Sequence, residues 1–191
     1  LNSFVLLSIP MFILMGMAVA NSPAGKDLYT GLDRWLWRVP GGLVISNIGA
    51  CSVFAALSGS SPATCAAIGT MGIPEMRKRG YSDQIATGTI AAGGTLGVLI
   101  PPSIVLIVYG IATGTSIGRL FLSGLIPGFM LAGMFAIWAL IHSYFIDKDK
   151  DSARALKNRT PPTFKEKIEV LPRILPFLAI IAGVLYVLYG G

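Results

Sequence analysis

Polar and apolar positions divide the chain into blocks, and the block lengths carry the first information. Residues 1–25 hold no charged side chain, and their apolar stretch is long enough to cross a bilayer as one helix of about 20 residues. A polar segment follows at 26–38 (KDLYTGLDRWLWR), where Leu28, Leu32, Trp35 and Leu36 recur at helical spacing with Trp37 beside them. That pattern predicts a short amphipathic helix lying in the membrane interface, the depth at which indole rings settle. Residues 39–74 are uncharged, and a basic loop is expected at 75–83, around Arg77, Lys78 and Arg79. Residues 84–118 are uncharged again and end at Arg119. A further span is expected at 120–146 and a charged segment at 147–173; the next span starts within 174–191, near Pro172 and Pro176.

Two blocks have lengths that simple spans do not explain. At 36 residues, 39–74 is too long for one crossing and too short for two with a loop. Its middle reads Ser58-Gly59-Ser60-Ser61-Pro62, which breaks a helix. Two half-helices of about 15 residues would each rise only about 22 Å, short of a hydrocarbon core of about 30 Å. A re-entrant hairpin that enters and leaves on one side fits. The block 84–118 has the opposite problem, since a straight helix of about 35 residues would run to about 52 Å. Its centre reads GGTLGVLIPPS from Gly93 to Ser103: two prolines remove backbone donors and three glycines permit unusual dihedrals. The expected element is a discontinuous span, unwound at mid-membrane.

Composition agrees with this layout. The 191 residues are 53% apolar and 13% charged, about half the charged share of a soluble domain. The mean hydropathy is +0.71. A soluble enzyme, a nucleic-acid binder and a disordered tail are excluded on that ground, leaving an all-α, polytopic membrane protein. The net charge of +6 is then a topology signal. With a re-entrant hairpin, 14 of the 15 Lys and Arg residues share one side and only Arg119 lies opposite. A single crossing at 39–74 would instead split them 4 against 11. The positive-inside bias makes the crowded side cytoplasmic. Arg77-Lys78-Arg79 reads as an anchor and a contact for lipid headgroups. Cys51 and Cys65 sit in apolar surroundings and read as buried free thiols. The chain starts at Leu1 without Met, shows no signal peptide and stops just after an apolar run, so it is expected to be a piece of a longer protein.

Backbone breaks at membrane depth cost several kcal/mol for each unpaired group unless they line a cavity or are buried in protein. Secondary transporters use such breaks: freed carbonyls coordinate Na+, and half-helix N-termini face an anionic substrate. The hydroxyls of Ser58, Ser60, Ser61 and Thr95 are neutral oxygen ligands suited to that ion. The bland alternatives remain. Gly93-x-x-x-Gly97 and Gly110-x-x-x-Gly114 also match helix-packing patterns. Asn47 suits a helix–helix hydrogen bond as well as a site, and His142 an interfacial position. Serines at depth raise an intramembrane protease, but His142 lies in another span and no Gly-x-Ser-x-Gly elbow occurs. No zinc pattern or phosphate loop is present, so neither enzyme function nor ATP-driven transport is expected. A structural or assembly subunit of a membrane complex, without an ion site of its own, is the other reading.

The stretch VFAALSGSSPATCAAIGTMGIPEMRKRGY (53–81), followed by IAAGGTLGVLIPPSIVLIVYGIATGTSIGRLFLSGLIPG, resembles the large membrane subunit of tripartite ATP-independent periplasmic (TRAP) transporters. LLSIPMFILMG (6–16) is similar to the family's span before the hairpin, although Met17 stands where many members carry an acidic residue. The resemblance implies an elevator-type secondary transporter of two inverted repeats in the bacterial inner membrane. This chain would cover mainly the first repeat, and alone it should not transport. Na+ would be the coupling ion and an organic acid the substrate. The implied partners are a small four-helix membrane subunit and a periplasmic substrate-binding protein. Carried onto this chain, the Na+ site would use Ser58, Gly59, Ser60 and Ser61 at the hairpin tip, with Gly93, Gly94, Thr95, Gly97 and Ile100 of the broken span. Asn47, Pro101, Pro102 and Ser103 would belong to the substrate site.

Overall fold

The computed structural model describes residues 41–145 without interruption, with isolated positions at 10, 14, 18, 30–32, 34–36, 39, 172, 175, 179, 182, 183 and 186. The expected elements at 1–25, 147–173 and 174–191 therefore lie outside the described residues, those isolated positions apart. Of 26–38 only pieces are described: Leu32 lies against Gly49, and Trp35 is exposed. Among the described residues every regular element is a helix: α1 (Gly42–Ser58), α2 (Ser61–Lys78), α3 (Asp83–Leu99), α4 (Ile104–Thr113) and α5 (Ile117–Phe145).

Local chemistry sets each boundary. Gly41 precedes α1 at φ 68°, and Gly59 ends it at φ 59°, both in the left-handed region that glycine enters without a steric penalty. The Gly59 N–H closes α1 by donating to the Ala55 carbonyl at 2.9 Å. Ser60 then caps α2, its hydroxyl accepting from the Ala63 N–H, and Pro62 fits the first turn because no donor is needed there. Ser82 caps α3, with Asp83 in the first turn. That helix stops where the residue before Pro101 is driven extended: Ile100 has φ −77° and ψ 121°. Ser103 caps α4, and Gly114 ends it at φ 67°.

The hairpin of α1 and α2 packs against α3, and α5 closes over α1 and α3. Phe54, Leu57, Ile68, Met76 and Leu96 are fully buried between them. Gly93 and Gly94 permit the close approach: a Cβ at Gly93 would lie 2.8 Å from Cys51 Sγ, and one at Gly94 would run into Cys65 Sγ. Both cysteines are free, Cys51 buried and Cys65 half-buried. Two described segments are long and apolar enough to cross a membrane: 83–113, read across its break, and 117–142.

Three boundaries differ from the sequence reading. The unwound stretch is only Ile100–Ser103, and Gly93, Gly94, Thr95 and Gly97 lie inside α3. Glycine permits unusual dihedrals without imposing them; only the prolines force the break. The basic loop at 75–83 shrinks to Arg79–Ser82, because α2 continues through the charged residues to Lys78. Glu75 supports that last turn from one turn back, pairing with Arg79 at 2.6 Å. Arg77 is held by Asp83 at 2.6 and 3.1 Å, which raises its pKa above the ordinary value, first through the hydrogen bond and then through the charge. Among the described residues Lys78, the third basic residue, has a 4.0 Å contact to Glu75. Finally, the block 84–118 holds α3, α4 and the start of α5, which begins at Ile117 rather than 120.

Candidate ion site at the hairpin tip

The two interruptions meet. The Ile104 N–H, first in α4, donates to the Gly59 carbonyl at 3.1 Å, so the hairpin tip is tied to the break after α3. A Cβ at Gly59 would lie 2.6 Å from the Pro102 carbonyl oxygen. Gly97 abuts the same tip from α3: its Cβ would lie 2.7 Å from the Ser61 nitrogen and 2.8 Å from the Ser60 carbonyl carbon. Four helix ends therefore converge, the C-termini of α1 and α3 and the N-termini of α2 and α4. Helix C-termini carry partial negative charge and unpaired carbonyls; helix N-termini carry the reverse. One junction thus offers oxygen for a cation and N–H groups for an anion.

The hydroxyls at the tip form a small network. Ser58 Oγ lies 3.0 Å from Thr64 Oγ1, and Thr64 Oγ1 donates to the Ser60 carbonyl at 2.8 Å. The Ser60 N–H donates to Ser58 Oγ at 3.4 Å. Ser61 is different: its Oγ is buried and has no hydrogen-bond partner among the described residues. A buried orphan hydroxyl costs about 1–3 kcal/mol, so it calls for a ligand. The break adds carbonyls of its own. Pro101 and Pro102 have no N–H to give to the carbonyls of Gly97 and Val98, their partners four residues back. Ile100, Pro101, Pro102 and Ser103 are all buried, and the Ser103 hydroxyl accepts from the Leu106 N–H at 3.5 Å.

The other candidates are placed less centrally. Gly93 faces Cys51 and serves close packing, about one turn from Gly97; Gly94 faces Cys65 and also the tip, where its Cβ would lie 3.4 Å from the Ser61 carbonyl oxygen. Thr95 is exposed, and its hydroxyl donates to the Ala92 carbonyl of its own helix at 2.6 Å, so the structure does not bring it to the tip. Asn47 lies eleven residues before Ser58, about 16 Å away along α1. There it is fully buried, its Nδ2 donating to Met76 Sδ at 2.8 Å, while its Oδ1, beside Gly72, is like Ser61 Oγ a buried acceptor with no hydrogen-bond partner among the described residues. The bond to Met76 joins α1 to α2 away from the tip, and it accounts for only one end of the amide. Thr64 is the member that the sequence reading missed. Its signal is the i, i+4 spacing Ser60-x-x-x-Thr64, which lets a helix hydroxyl bond back to the capping residue's carbonyl.

The donor set is hard and neutral: hydroxyls and carbonyls, with no group of three or more His, Cys, Asp or Glu able to hold a metal among the described residues. Such a set suits Na+ and disfavours zinc or copper.

Residues 1–190 match the family described as the tripartite ATP-independent periplasmic transporter, DctM component. The chain is 37% identical to the isethionate TRAP transporter permease protein DctMQ of Oleidesulfovibrio alaskensis, over 97% of this chain and 29% of that protein. It is 47% identical to the C4-dicarboxylate TRAP transporter large permease protein DctM of Vibrio cholerae, over 72% of this chain and 30% of that one. With the sialic acid TRAP transporter large permease protein SiaM of the same organism it shares 33% identity, over 96% of this chain and 42% of that one. The chain thus spans less than half the length of these relatives, all of which are permeases by name.

Proposed function

The chain belongs to the DctM family of TRAP transporter large permeases, a family of membrane transport proteins, and we propose that its hairpin-tip junction is the Na+ site of the first half of a secondary transporter. The observation that carries this reading is the meeting of four helix ends around Gly59, Gly97 and the orphan hydroxyl of Ser61. Na+ binds the Ser61 hydroxyl and the carbonyls freed at the ends of α1 and α3. The adjoining N-termini of α2 and α4 face the same junction, and the N–H groups there that are not spent on the Ser60 and Ser103 caps or on the Gly59 carbonyl receive the acid group of an organic anion. The relatives are named for dicarboxylate, isethionate and sialic acid, all anionic at neutral pH. Both charges are handled by backbone dipoles and hydroxyls, so no side-chain charge is buried at membrane depth.

In the whole protein a second repeat supplies the other half of the site. A small membrane subunit and a periplasmic substrate-binding protein complete the system in the inner membrane, and the hairpin domain moves as an elevator. Docking the tip by the Gly59–Ile104 hydrogen bond, with Gly97 against its backbone, makes ion binding and tip position interdependent. An ion that fills the junction stabilises the docked hairpin and with it the substrate's donors. That is how a Na+ gradient would drive uptake.

Ser61→Ala tests the site directly. If the Ser61 hydroxyl is a ligand, the Na+ concentration for half-maximal uptake by the full-length transporter in proteoliposomes rises about tenfold, the equivalent of ~1.4 kcal/mol. Ser60→Ala, which removes the α2 cap as well, should weaken Na+-dependent uptake too. Were Ser61 only a packing residue, deleting its unsatisfied hydroxyl would be neutral or stabilising, with Na+ dependence unchanged.

The re-entrant path has its own test. The uncharged part of α2, 61–74, rises only about 21 Å, short of a core of about 30 Å, so α1 and α2 return to the side they started from. A cysteine at exposed Ser82 should react with an impermeant maleimide only from the cytoplasmic face. Labelling from the periplasmic face would show that the hairpin crosses.

A further inference from the structure

Proton supply fixes the direction of the hydrogen bonds at the hairpin tip. Thr64, fully buried one turn into α2, carries a single hydroxyl proton and gives it to the Ser60 carbonyl at 2.8 Å. The 3.0 Å contact between Ser58 Oγ and Thr64 Oγ1 is then made with the Ser58 proton. The Ser60 N–H in turn donates to Ser58 Oγ at 3.4 Å. A closed ring results, running from the Ser60 N–H to Ser58, from Ser58 to Thr64, and from Thr64 back to the Ser60 carbonyl. The Thr64 N–H donates to that same carbonyl at 3.0 Å. Thr64 therefore takes both of its lone pairs, one with its backbone and one with its side chain. The longer 3.3 Å approach of Ser58 Oγ to this carbonyl finds no lone pair left to fill.

The ring decides which oxygens of the turn remain for a cation. The Ser60 carbonyl is saturated and drops out as a ligand. On Ser58 Oγ the proton is turned toward Thr64 and one lone pair takes the Ser60 N–H, so the other lone pair is open. The peptide between Ser60 and Ser61 is gripped at its oxygen by Thr64, and its nitrogen is the atom that a Cβ at Gly97 would meet at 2.7 Å. Turning that peptide plane would swing the orphan Ser61 hydroxyl, so the grip sets where this hydroxyl sits. Threonines that bond back to a carbonyl one turn earlier are ordinary in this chain: Thr87 does so to Asp83 at 2.7 Å and Thr89 to Ile85 at 2.6 Å. Thr64 differs at both ends of its hydroxyl. The carbonyl it holds belongs to the capping residue of α2, and its oxygen is reached by a serine from the last turn of α1.

We infer that Thr64 is a positioning residue of the ion site: its hydroxyl closes the ring, withdraws the Ser60 carbonyl from the cation, and holds the Ser58 and Ser61 hydroxyls in the arrangement that receives it. This inference rests on the reading of the junction as a Na+ site and adds the residue that shapes it. Thr64→Val keeps the size and branching of the side chain and opens the ring, whereas Thr64→Ser keeps the proton and the lone pairs. Thr89→Val is the matched control, since it deletes a buried hydroxyl that makes the same kind of bond on α3.

The test is Na+-dependent uptake by the full-length transporter in proteoliposomes, with the half-saturating Na+ concentration and the maximal rate read separately. In Thr64→Val the half-saturating concentration should rise about fivefold while the maximal rate stays within about twofold of the parent. Thr64→Ser should restore the parent value, and Thr89→Val should shift neither quantity. Thr64→Ala opens the same ring with a smaller residue and should act as Thr64→Val does, so a valine variant that does not assemble still leaves a test. An unchanged half-saturating concentration in the Thr64 variants, with Ser61→Ala raising it, would overturn the positioning role and leave the ion site standing. No change in Ser61→Ala either would remove the ion site and this inference with it. A fall in maximal rate alone, or a shift that Thr64→Ser does not rescue, would make Thr64 a packing residue and overturn the inference as well.

Discussion

Gly97→Leu in the full-length transporter is expected to remove Na+-driven uptake almost completely. Any side chain at 97 must displace backbone, not a flexible side-chain end, because its Cβ would sit 2.7 Å from the Ser61 nitrogen and 3.0 Å from the Ser60 carbonyl oxygen. Overpacking of this kind costs about 1–3 kcal/mol even where side chains can adjust. Here the strain falls on the tip that holds the orphan Ser61 hydroxyl, so it is relieved by pushing the hairpin out of the break. Since ~1.4 kcal/mol is tenfold in affinity, Na+ binding weakens by one to two orders of magnitude. Gly133→Leu is the control, a glycine on α5 with no atom within 4 Å of an added Cβ. It should assemble and transport normally. Equal loss in both variants would point to general damage by leucine rather than to the junction.

Gly59→Ala carries the second large effect and separates two causes. Gly59 has φ 59°, which costs an alanine about 1–2 kcal/mol, and its Cβ would press on the Pro102 carbonyl oxygen at 2.6 Å. Gly80 also has positive φ, 82°, but its Cβ would meet nothing within 4 Å. Gly80→Ala therefore measures backbone strain alone. Gly59→Ala should lose at least tenfold more uptake than Gly80→Ala, because it also breaks the hydrogen bond from Ile104 N–H to the Gly59 carbonyl. Uptake falling equally in the two variants would mean that the tip needs only its own turn and not its dock.

These predictions rest on contacts that are invisible in the sequence, although it marks where they occur. The hairpin turn was legible because Gly59, Ser60 and Pro62 each act locally: a left-handed C-terminus, a cap, and a proline in a first turn. The break was legible in Pro101 and Pro102 for the same kind of reason, the missing N–H. What stayed hidden depends on what lies opposite. Gly93, Gly94 and Gly97 look alike in sequence, yet Gly93 faces a cysteine, Gly97 the hairpin backbone, and Gly94 both. Their choice between loop and helix was also misread, since glycine tolerates both. Charge located the water boundary but not the helix end, because Glu75 and Arg79 pair across a turn and carry α2 into the polar region. Asn47 pairs with Met76 across the hairpin, yet its Oδ1 has no partner among the described residues, so packing explains only part of it. Thr64 went unnoticed because a threonine in a helix usually satisfies itself by bonding back to a carbonyl, and only the capping Ser60 makes that carbonyl part of the tip.

The ion-pair arrangement refines the topology argument in a similar way. Arg77 and Arg79 are matched by Asp83 and Glu75, so the loop presents less free positive charge than its sequence suggests. The positive-inside bias counts Lys and Arg rather than net charge, and the expected orientation is therefore unaffected.

Equilibrium binding of radioactive Na+ to the purified full-length protein, compared between Gly97→Leu and Gly133→Leu, tests the central claim most directly. The account predicts that Gly133→Leu binds as many ions as the unaltered protein, whereas Gly97→Leu binds one fewer per chain at the same Na+ concentration. Full stoichiometry and unchanged affinity in a correctly assembled Gly97→Leu protein would contradict it, and the junction of hairpin and broken helix would then be a packing feature without an ion.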